Sequence, residues 1–334
     1  MGSPIKVALL LLLGARATAT NRTFRAVIFK EARTGSTWLA DLLRNERSVG
    51  YFAHEASSCV KNGDGALQRT ALFSLLAAPA CDMRCGVQAK DAARLRWLAD
   101  ERRPAPSCFA GKLVGFDIQA KNDLGEDRSP PLDWPADWKR LLRLPDVRAV
   151  VFARTNVVKR CVSKAHVDVF YAQCRTRKAV SADHRACLAA HRAAIDAPVA
   201  VDGADLARLA HNEGREWVDL MERAGAAGGR PPLLVFYEAL LRDPHRELKR
   251  FFAALGMGDR AVSAASGSLK ITGDDLRTSV ANFSGVEAAL GAADPCFLGQ
   301  LRDAESRVFD TICLAGGTSA FSKHGDASPT AYGY

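Results

Sequence analysis

The sequence predicts an α/β fold in three layers, with a central parallel sheet flanked by helices. Short apolar runs at residues 24–29, 113–118, 147–153 and 233–237 are rich in β-branched and aromatic residues. Such runs are typical of strands that are buried on both faces. Stretches with helical periodicity alternate with these runs, and the alternation favours a parallel sheet that is covered on both sides. The chain has 334 residues and no internal repeat, which indicates one large domain over residues 20–322.

The first predicted strand leads through a tight turn into a helix. Trp38, Leu39, Leu42 and Leu43 recur at the spacing of one helix face. Residues 44–58, which follow this helix, are predicted as a polar loop or a short second strand.

The later helices are predicted from their periodicity and from the residues that end them. Asp243-Pro244 is typical of a helix start, and Gly256 of a helix end. The last residues, 323–334, are small and polar and are predicted to form a flexible tail. The predicted helices are a short one ending at Pro145 and those at residues 157–172, 206–224 and 244–255.

The N-terminus predicts a secretory signal peptide over residues 1–19. Lys6 precedes an apolar run at residues 7–13, which is far shorter than the roughly 20 residues that span a bilayer. Cleavage is expected after Ala19 or after Ala17, and a retained short signal anchor, the only predicted membrane contact, is the alternative. The predicted location is therefore the secretory pathway, either the Golgi lumen or outside the cell. Glycosylation sequons begin at Asn21 and Asn282.

Nine cysteines fit an oxidising compartment. Cys161, inside a predicted buried helix, is expected to be the free thiol, and Cys174–Cys187 and Cys296–Cys313 are expected as local pairs. Four further cysteines lie in residues 59–110, which we interpret as a Cys-rich insertion that carries substrate-facing loops. No set of Cys and His residues has the spacing of a metal site, so no metal is predicted.

The composition favours anionic partners. The formal net charge is +9 at pH 7, which attracts nucleotides, acidic glycans or nucleic acids. The basic residues are spread along the chain and are not interleaved with aromatic residues, so nucleic acid is not predicted as a partner.

The turn after the first strand is predicted to bind a phosphate or sulfate. It reads Arg33-Thr34-Gly35-Ser36-Thr37, with a glycine that can take a positive φ and hydroxyl residues suited to a helix start. Unpaired amides at a helix N-terminus form an anion site, and Lys30 and Arg33 add positive charge. Neither the Walker pattern GxxxxGK[ST] nor the dinucleotide pattern GxGxxG is present.

A second anion site is predicted at the end of the strand at residues 147–153. Arg154 follows this strand, and Ser163 lies nine residues further on, in the next helix. A guanidinium and a hydroxyl in this arrangement can hold one phosphate from two sides. Arg160 is a further candidate contact.

These two motifs resemble those of sulfotransferases that use 3′-phosphoadenosine 5′-phosphosulfate (PAPS), in particular carbohydrate and nodulation-type enzymes of the Golgi kind. Arg-Thr-Gly-Ser-Thr-Trp-Leu at residues 33–39 resembles their 5′-phosphosulfate loop, and Arg154 to Ser163 resembles their 3′-phosphate site. Residues 236–244 resemble their Tyr-Glu-Asp-Leu segment, except that Ala239 replaces the Asp. The segment that begins at Lys270 is similar to their late basic loop. The resemblance implies a P-loop-like fold, PAPS as the donor co-substrate, no metal, and donor contacts from Arg33, Thr34, Gly35, Ser36, Thr37, Trp38, Arg154, Arg160, Ser163 and Lys270.

The reaction needs cations at the leaving phosphate and a base at the acceptor. Lys30, Arg33 and the amides of residues 35–38 are predicted to supply the first. Glu55 is predicted as the base, with His54 as the second candidate, because carbohydrate enzymes of the resembling family often place a catalytic carboxylate shortly after the first helix.

We therefore predict a secretory PAPS-dependent sulfotransferase whose acceptor is a carbohydrate hydroxyl. A tyrosyl or small-metabolite acceptor stays open. Two other classes also stay open: a small-molecule kinase of related fold, and a non-catalytic secreted glycan-binding protein. The kinase lacks support because there is no Gly-Lys pair in the turn. The binding protein draws support from two departures from the family pattern, Asp117 and Ala239.

Overall fold

The computed structural model describes residues 24–31, 34–53, 113–119, 136–173, 186–187, 189–266, 275–305 and 313. The predicted signal peptide, the Asn21 sequon, the insertion at 59–110 and the tail at 323–334 lie outside these residues. In the part of the chain that the structure describes, no helix is both long enough and apolar enough to cross a membrane.

The sheet contains five described strands, all parallel, in the spatial order β2-β3-β1-β4-β5. The strands are β1 (Phe24–Lys30), β2 (Val49–Ala53), β3 (Leu113–Gln119), β4 (Val147–Ala153) and β5 (Leu233–Phe236). The predicted α/β class with a central parallel sheet is confirmed. Of the two alternatives for residues 44–58, the short strand is right, because β2 pairs with β3 at the edge of the sheet.

Ten helices with the following bounds accompany the strands in the described residues. They are α1 (Ser36–Arg44), α2 (Ala136–Leu142), α3 (Val157–Gln173), α4 (Arg192–Asp196), α5 (Gly203–Gly228), α6 (Tyr237–Arg242), α7 (Pro244–Ala254), α8 (Leu276–Ser279), α9 (Phe283–Ala293) and α10 (Pro295–Arg302).

The helix α5 and the end of strand β5 differ from the prediction. α5 is longer than residues 206–224, because Asp202 caps its start by accepting the Asp205 amide and Gly229, at φ +66°, ends it. Tyr237 was predicted to end the last strand, but it begins α6. The chain turns there because β5 pairs with β4 only as far as Phe236.

The strands pack helices on both faces, since successive side chains point to opposite sides. Val27 and Phe29 of β1 face the larger core, which includes residues of α2, α3, α5, α9 and α10. Ala26 and Ile28 face the other core, with residues of α1, α6 and α7. The sheet and the helices on its two faces form the three predicted layers. The carboxyl ends of the strands lie at one edge of the sheet, where ligands bind in folds of this class.

The cysteine predictions that the structure tests are confirmed. Cys296 and Cys313 form a disulfide with their Cα atoms 5.7 Å apart. Cys161 is a buried free thiol, and burial raises its pKa, so it stays protonated and unreactive near neutral pH. Cys187 is disulfide-bonded, but Cys174, its predicted partner, lies outside the described residues.

Candidate functional site

Three strand ends meet at one edge of the sheet. β1 and β4 are neighbours, with Lys30 opposite Phe152, so the turn after β1 and Arg154 after β4 leave the sheet side by side. β5 pairs Phe236 with Ala153, which brings Tyr237 and Glu238 to the same edge. The structure therefore brings the two predicted anion-binding segments together, at the edge where ligands bind in parallel sheets.

The turn after β1 places a glycine against an aromatic ring. Gly35 has φ +83°, and a Cβ at this position would lie 2.5 Å from Cδ2 of Tyr237. Both the backbone conformation and the close approach require glycine here. The Gly35 carbonyl accepts the amides of Trp38 at 3.0 Å and Leu39 at 3.1 Å. The Trp38 amide is therefore used within α1, and its contact with a ligand stays a prediction.

The first two amides at the N-terminus of α1, those of Gly35 and Ser36, are open to an anion. No side chain caps the helix and no acidic residue lies in its first turn. Within the described residues, no acceptor takes the amide protons of Gly35 or Ser36. These amides stand at the positive end of the helix dipole, as an anion site requires.

Lys30 is buried beneath this turn. Its Nζ donates to Ser36 Oγ at 2.9 Å and lies 3.7 Å from Oδ1 of Asp117 on β3. The Thr34 hydroxyl donates to the carbonyl of Glu31 at 2.9 Å. Lys30 and Thr34 thus fix the shape of the turn from below. Sequence reasoning noted Asp117 only as a departure from a family pattern and missed it as a partner of Lys30.

Arg154 carries the charge of the second segment. Its side chain is about nine-tenths buried, with Cζ 4.7 Å from the centre of the Tyr237 ring and Nε 3.7 Å from Oε1 of Glu238. Among the described residues, no acceptor forms a hydrogen bond with Nε. The guanidinium is therefore held by a ring and an ion pair while part of its donor capacity stays unused.

The N-terminus of α3, unlike that of α1, is occupied by groups of the protein itself. Glu238 accepts the amides of Thr155 at 3.0 Å and Asn156 at 3.1 Å. Gln300 accepts the Val158 amide, and Asn156 Oδ1 accepts the Lys159 amide. An anion at this strand end would therefore be bound by side chains and not by helix amides.

Arg160 is turned toward α5. It pairs with Glu213, lies 5.4 Å from the centre of the Trp217 ring, and is almost fully buried. Burial lowers the pKa of Arg160, and the nearby Glu31 carboxylate opposes that shift. Ser163 lies one turn further along α3 and is half-buried. The contact of Arg160 with a ligand stays a prediction, and its carboxylate partner is a competitor for that contact.

Tyr237 joins the two segments. Its ring meets Trp38 edge-on with centroids 5.8 Å apart, touches the site of Gly35, and supports Arg154. Sequence reasoning assigned no role to it, although its place beside Glu238 at a strand end was a signal.

The remaining predicted site residues, Arg33, His54, Glu55 and Lys270, lie outside the described residues. Thr37 lies in the first turn of α1, directly after Ser36. Among the residues that the structure describes, no cluster of three or more His, Cys, Asp or Glu side chains could hold a metal.

Comparison with known proteins found similar solved structures. A sulfotransferase from Alicyclobacillus acidocaldarius is 16% identical, with 83% of this chain and 96% of that one covered and a TM-score of 0.38. The sulfotransferase domain of the Synechococcus PCC 7002 olefin synthase is 17% identical, with 73% and 76% covered and a TM-score of 0.31. The sulfotransferase domain of the curacin biosynthetic pathway is 13% identical, with 75% and 84% covered and a TM-score of 0.33. No protein-family model matches the chain, and no curated protein does.

Proposed function

We propose that the protein is a PAPS-dependent sulfotransferase that moves a sulfuryl group to an acceptor hydroxyl of a carbohydrate. The proposal rests on one observation: the two predicted anion-binding segments meet at the ring of Tyr237. The open amide end of α1 and the guanidinium of Arg154 both lie close to the Tyr237 ring, at the same edge of the sheet. Two anion sites so close together suit a nucleotide with phosphate groups at two positions.

The residues present fit such a donor. The amides of Gly35 and Ser36 are without acceptors in the described chain, and the turn that presents them is fixed by the positive φ of Gly35 and its close approach to Tyr237. These groups would hold the 5′-phosphosulfate, and Arg154 with Ser163 would hold the 3′-phosphate. The sequence motifs support this direction, because residues 33–39 resemble a 5′-phosphosulfate loop and Arg154 to Ser163 a 3′-phosphate site.

The chain supplies the electrostatic part of the chemistry. PAPS, when bound, provides a sulfuryl group on a phosphate leaving group. The amides at the start of α1 and the positive end of its dipole stabilise the negative charge that develops there. Lys30, through its bond to the Ser36 hydroxyl, fixes the turn so that little reorganisation is needed. Glu55, with His54 as the second candidate, remains our proposal for the base that takes the acceptor proton.

The acceptor and the location are proposed from composition. A net charge of +9 favours an acidic acceptor such as a glycan, and the predicted signal peptide favours the Golgi lumen or secretion.

Calorimetric titration with adenosine 3′,5′-bisphosphate tests the donor site. We expect Arg154→Lys, which loses the guanidinium fork, to weaken binding about tenfold, and Ser163→Ala about fivefold. Adenosine 5′-monophosphate, which lacks the 3′-phosphate, should bind the variants and the parent alike. Arg25→Lys is the matched control, since Arg25 is a partly buried arginine paired with Asp146 at the opposite end of the sheet. Unchanged bisphosphate binding in both site variants would overturn the assignment.

A transfer assay with radiolabelled PAPS over a panel of glycans tests the reaction. Labelled glycan is the expected result. Binding of the bisphosphate without transfer to any glycan, tyrosyl peptide or small metabolite would favour the non-catalytic binding protein. Tight binding of ATP–Mg²⁺ without binding of the bisphosphate would favour the kinase.

A further inference from the structure

Gln300 on α10 forms hydrogen bonds with the segment that joins β4 to α3 and with Cys313. Its Nε2 donates to the carbonyl of Thr155 at 3.0 Å and to Sγ of Cys313 at 3.0 Å. Its Oε1 accepts the Val158 amide at 3.3 Å, and its backbone carbonyl accepts Nδ2 of Asn156 at 2.8 Å. The side chain is fully buried. Gln300 therefore binds Thr155, Asn156 and Val158, at the end of the loop and the start of α3, and its buried side chain has no surface for a ligand.

α10 is itself firmly held. Asp294 caps its start by accepting the amide of Cys296 at 2.7 Å, and Cys296 is tied to Cys313 by the disulfide. At the other end, Asp303 lies 3.5 Å from Nζ of Lys159, and both side chains are almost fully buried. Gln300 thus stands on a fixed support, from which it can set the path of the loop.

The loop sets the position of Arg154. Arg154 is the first residue after β4, and residues 155 and 156 are held on one side by Glu238 and on the other by Gln300. If Gln300 lost its side-chain amide, the buried carbonyl of Thr155 and the buried amide of Val158 would each lose a partner. Because unpaired buried groups are costly, the loop would shift to find new ones. A shift of the loop moves the guanidinium that precedes it.

We infer that Gln300 is a positioning residue for the anion site at Arg154: it fixes residues 155–158 and thereby the direction of the guanidinium. This inference rests on the proposed function, which identifies the anion as the 3′-phosphate of the donor. Gln300 acts through the loop and contacts no ligand. The expected signature is a loss of selectivity for the 3′-phosphate, with recognition of the 5′ end retained.

The test measures the affinities for adenosine 3′,5′-bisphosphate and adenosine 5′-monophosphate by calorimetry. Gln300→Met keeps the volume of the side chain and removes its hydrogen bonds. We expect it to weaken bisphosphate binding about tenfold and to change monophosphate binding less than about twofold. Gln300→Asn keeps a neutral amide on a shorter side chain and should fall between the parent and Gln300→Met, and it replaces that variant if Gln300→Met does not fold.

Phe297→Leu is the matched control. Phe297 is buried on the same helix and packs in the larger core, so its truncation loosens α10 without removing a hydrogen bond to the loop. This variant should lower the melting temperature and keep the ratio of the two affinities. If the Gln300 variants keep that ratio, or if Phe297→Leu loses it equally, the inference is wrong. If the parent protein itself shows no preference for the bisphosphate, the proposed function fails first, and the inference falls with it.

Discussion

Replacing Glu238 by Ala should destabilise the protein severely. The side chain is almost fully buried, and its carboxylate accepts two amides at 3.0 and 3.1 Å and faces Nε of Arg154 at 3.7 Å. Removing one partner of a buried ion pair costs about 3–5 kcal/mol, because the other charge stays buried without compensation. Glu238→Gln keeps one acceptor oxygen and should cost less, about 2–3 kcal/mol.

The effect of pH on stability gives a second, independent readout of Glu238. Burial raises the pKa of Glu238, while Arg154 and the two amides act in the opposite direction. An acid whose pKa is higher in the folded state binds its proton more tightly there than in the unfolded chain. The contribution of Glu238 is therefore fully present below about pH 4.3, the pKa of an unperturbed Glu, and is lost as the pH rises to the folded pKa. This slope is opposite to that of an ordinary paired carboxylate.

Urea unfolding followed by tryptophan fluorescence between pH 4 and pH 8 measures both effects. Glu287→Ala is the control, because Glu287 pairs with Arg302 at the surface and should contribute no more than about 1 kcal/mol. The reasoning is refuted if Glu238→Ala loses no more stability than this control. It is also refuted if subtracting the Glu238→Gln curve from that of the parent leaves a contribution that grows with pH.

Three further substitutions act on the backbone and the cross-link. Gly35→Ala should cost about 3 kcal/mol or more of stability, because a positive φ and a clash with the Tyr237 ring act together. Gly229→Ala, at φ +66° in open space, is the control and should cost about 1 kcal/mol. Equal losses of stability in urea unfolding would show that the clash has no effect. Ala264→Gly should raise the melting temperature by relieving φ +50°, a gain of about 0.5–1 kcal/mol, and a lower melting temperature would contradict this. Replacing Cys296 and Cys313 together by Ala removes a disulfide with a sequence separation of 17 and should lower the free energy of unfolding by about 3 kcal/mol in the same assay. An unchanged midpoint would show that the disulfide adds no stability.

The sheet could be predicted because strands buried on both faces are apolar throughout, and the four runs that the sequence singled out are β1, β3, β4 and β5. The edge strand β2 could not be separated from a loop. It has five residues, includes Gly50, and pairs on one side only among the described strands, so local composition carries little signal for it.

The position of the site followed from the same rule, since turns that follow neighbouring parallel strands meet at one edge. The partners of the site residues did not follow. Arg160 meets Glu213, which lies 53 residues further along the chain, and Gln300 meets Asn156 at a separation of 144. Such contacts depend on how the helices pack against the sheet, and no local pattern in the sequence predicts them.

The two predicted anion-binding segments present different groups to a ligand. At α1 the binding groups are amides, so the site needs a backbone shape, and Gly35 secures it against the Tyr237 ring. At α3 the amides are already taken, partly by the carboxylate of Glu238, and this carboxylate would repel an anion if Arg154 did not face it. Arg154 thus has two roles in the proposed site, to balance Glu238 and to bind the phosphate. A lysine has a single charged nitrogen and could not both face Glu238 and offer a planar fork to a phosphate, which is the reason we expect Arg154→Lys to weaken binding.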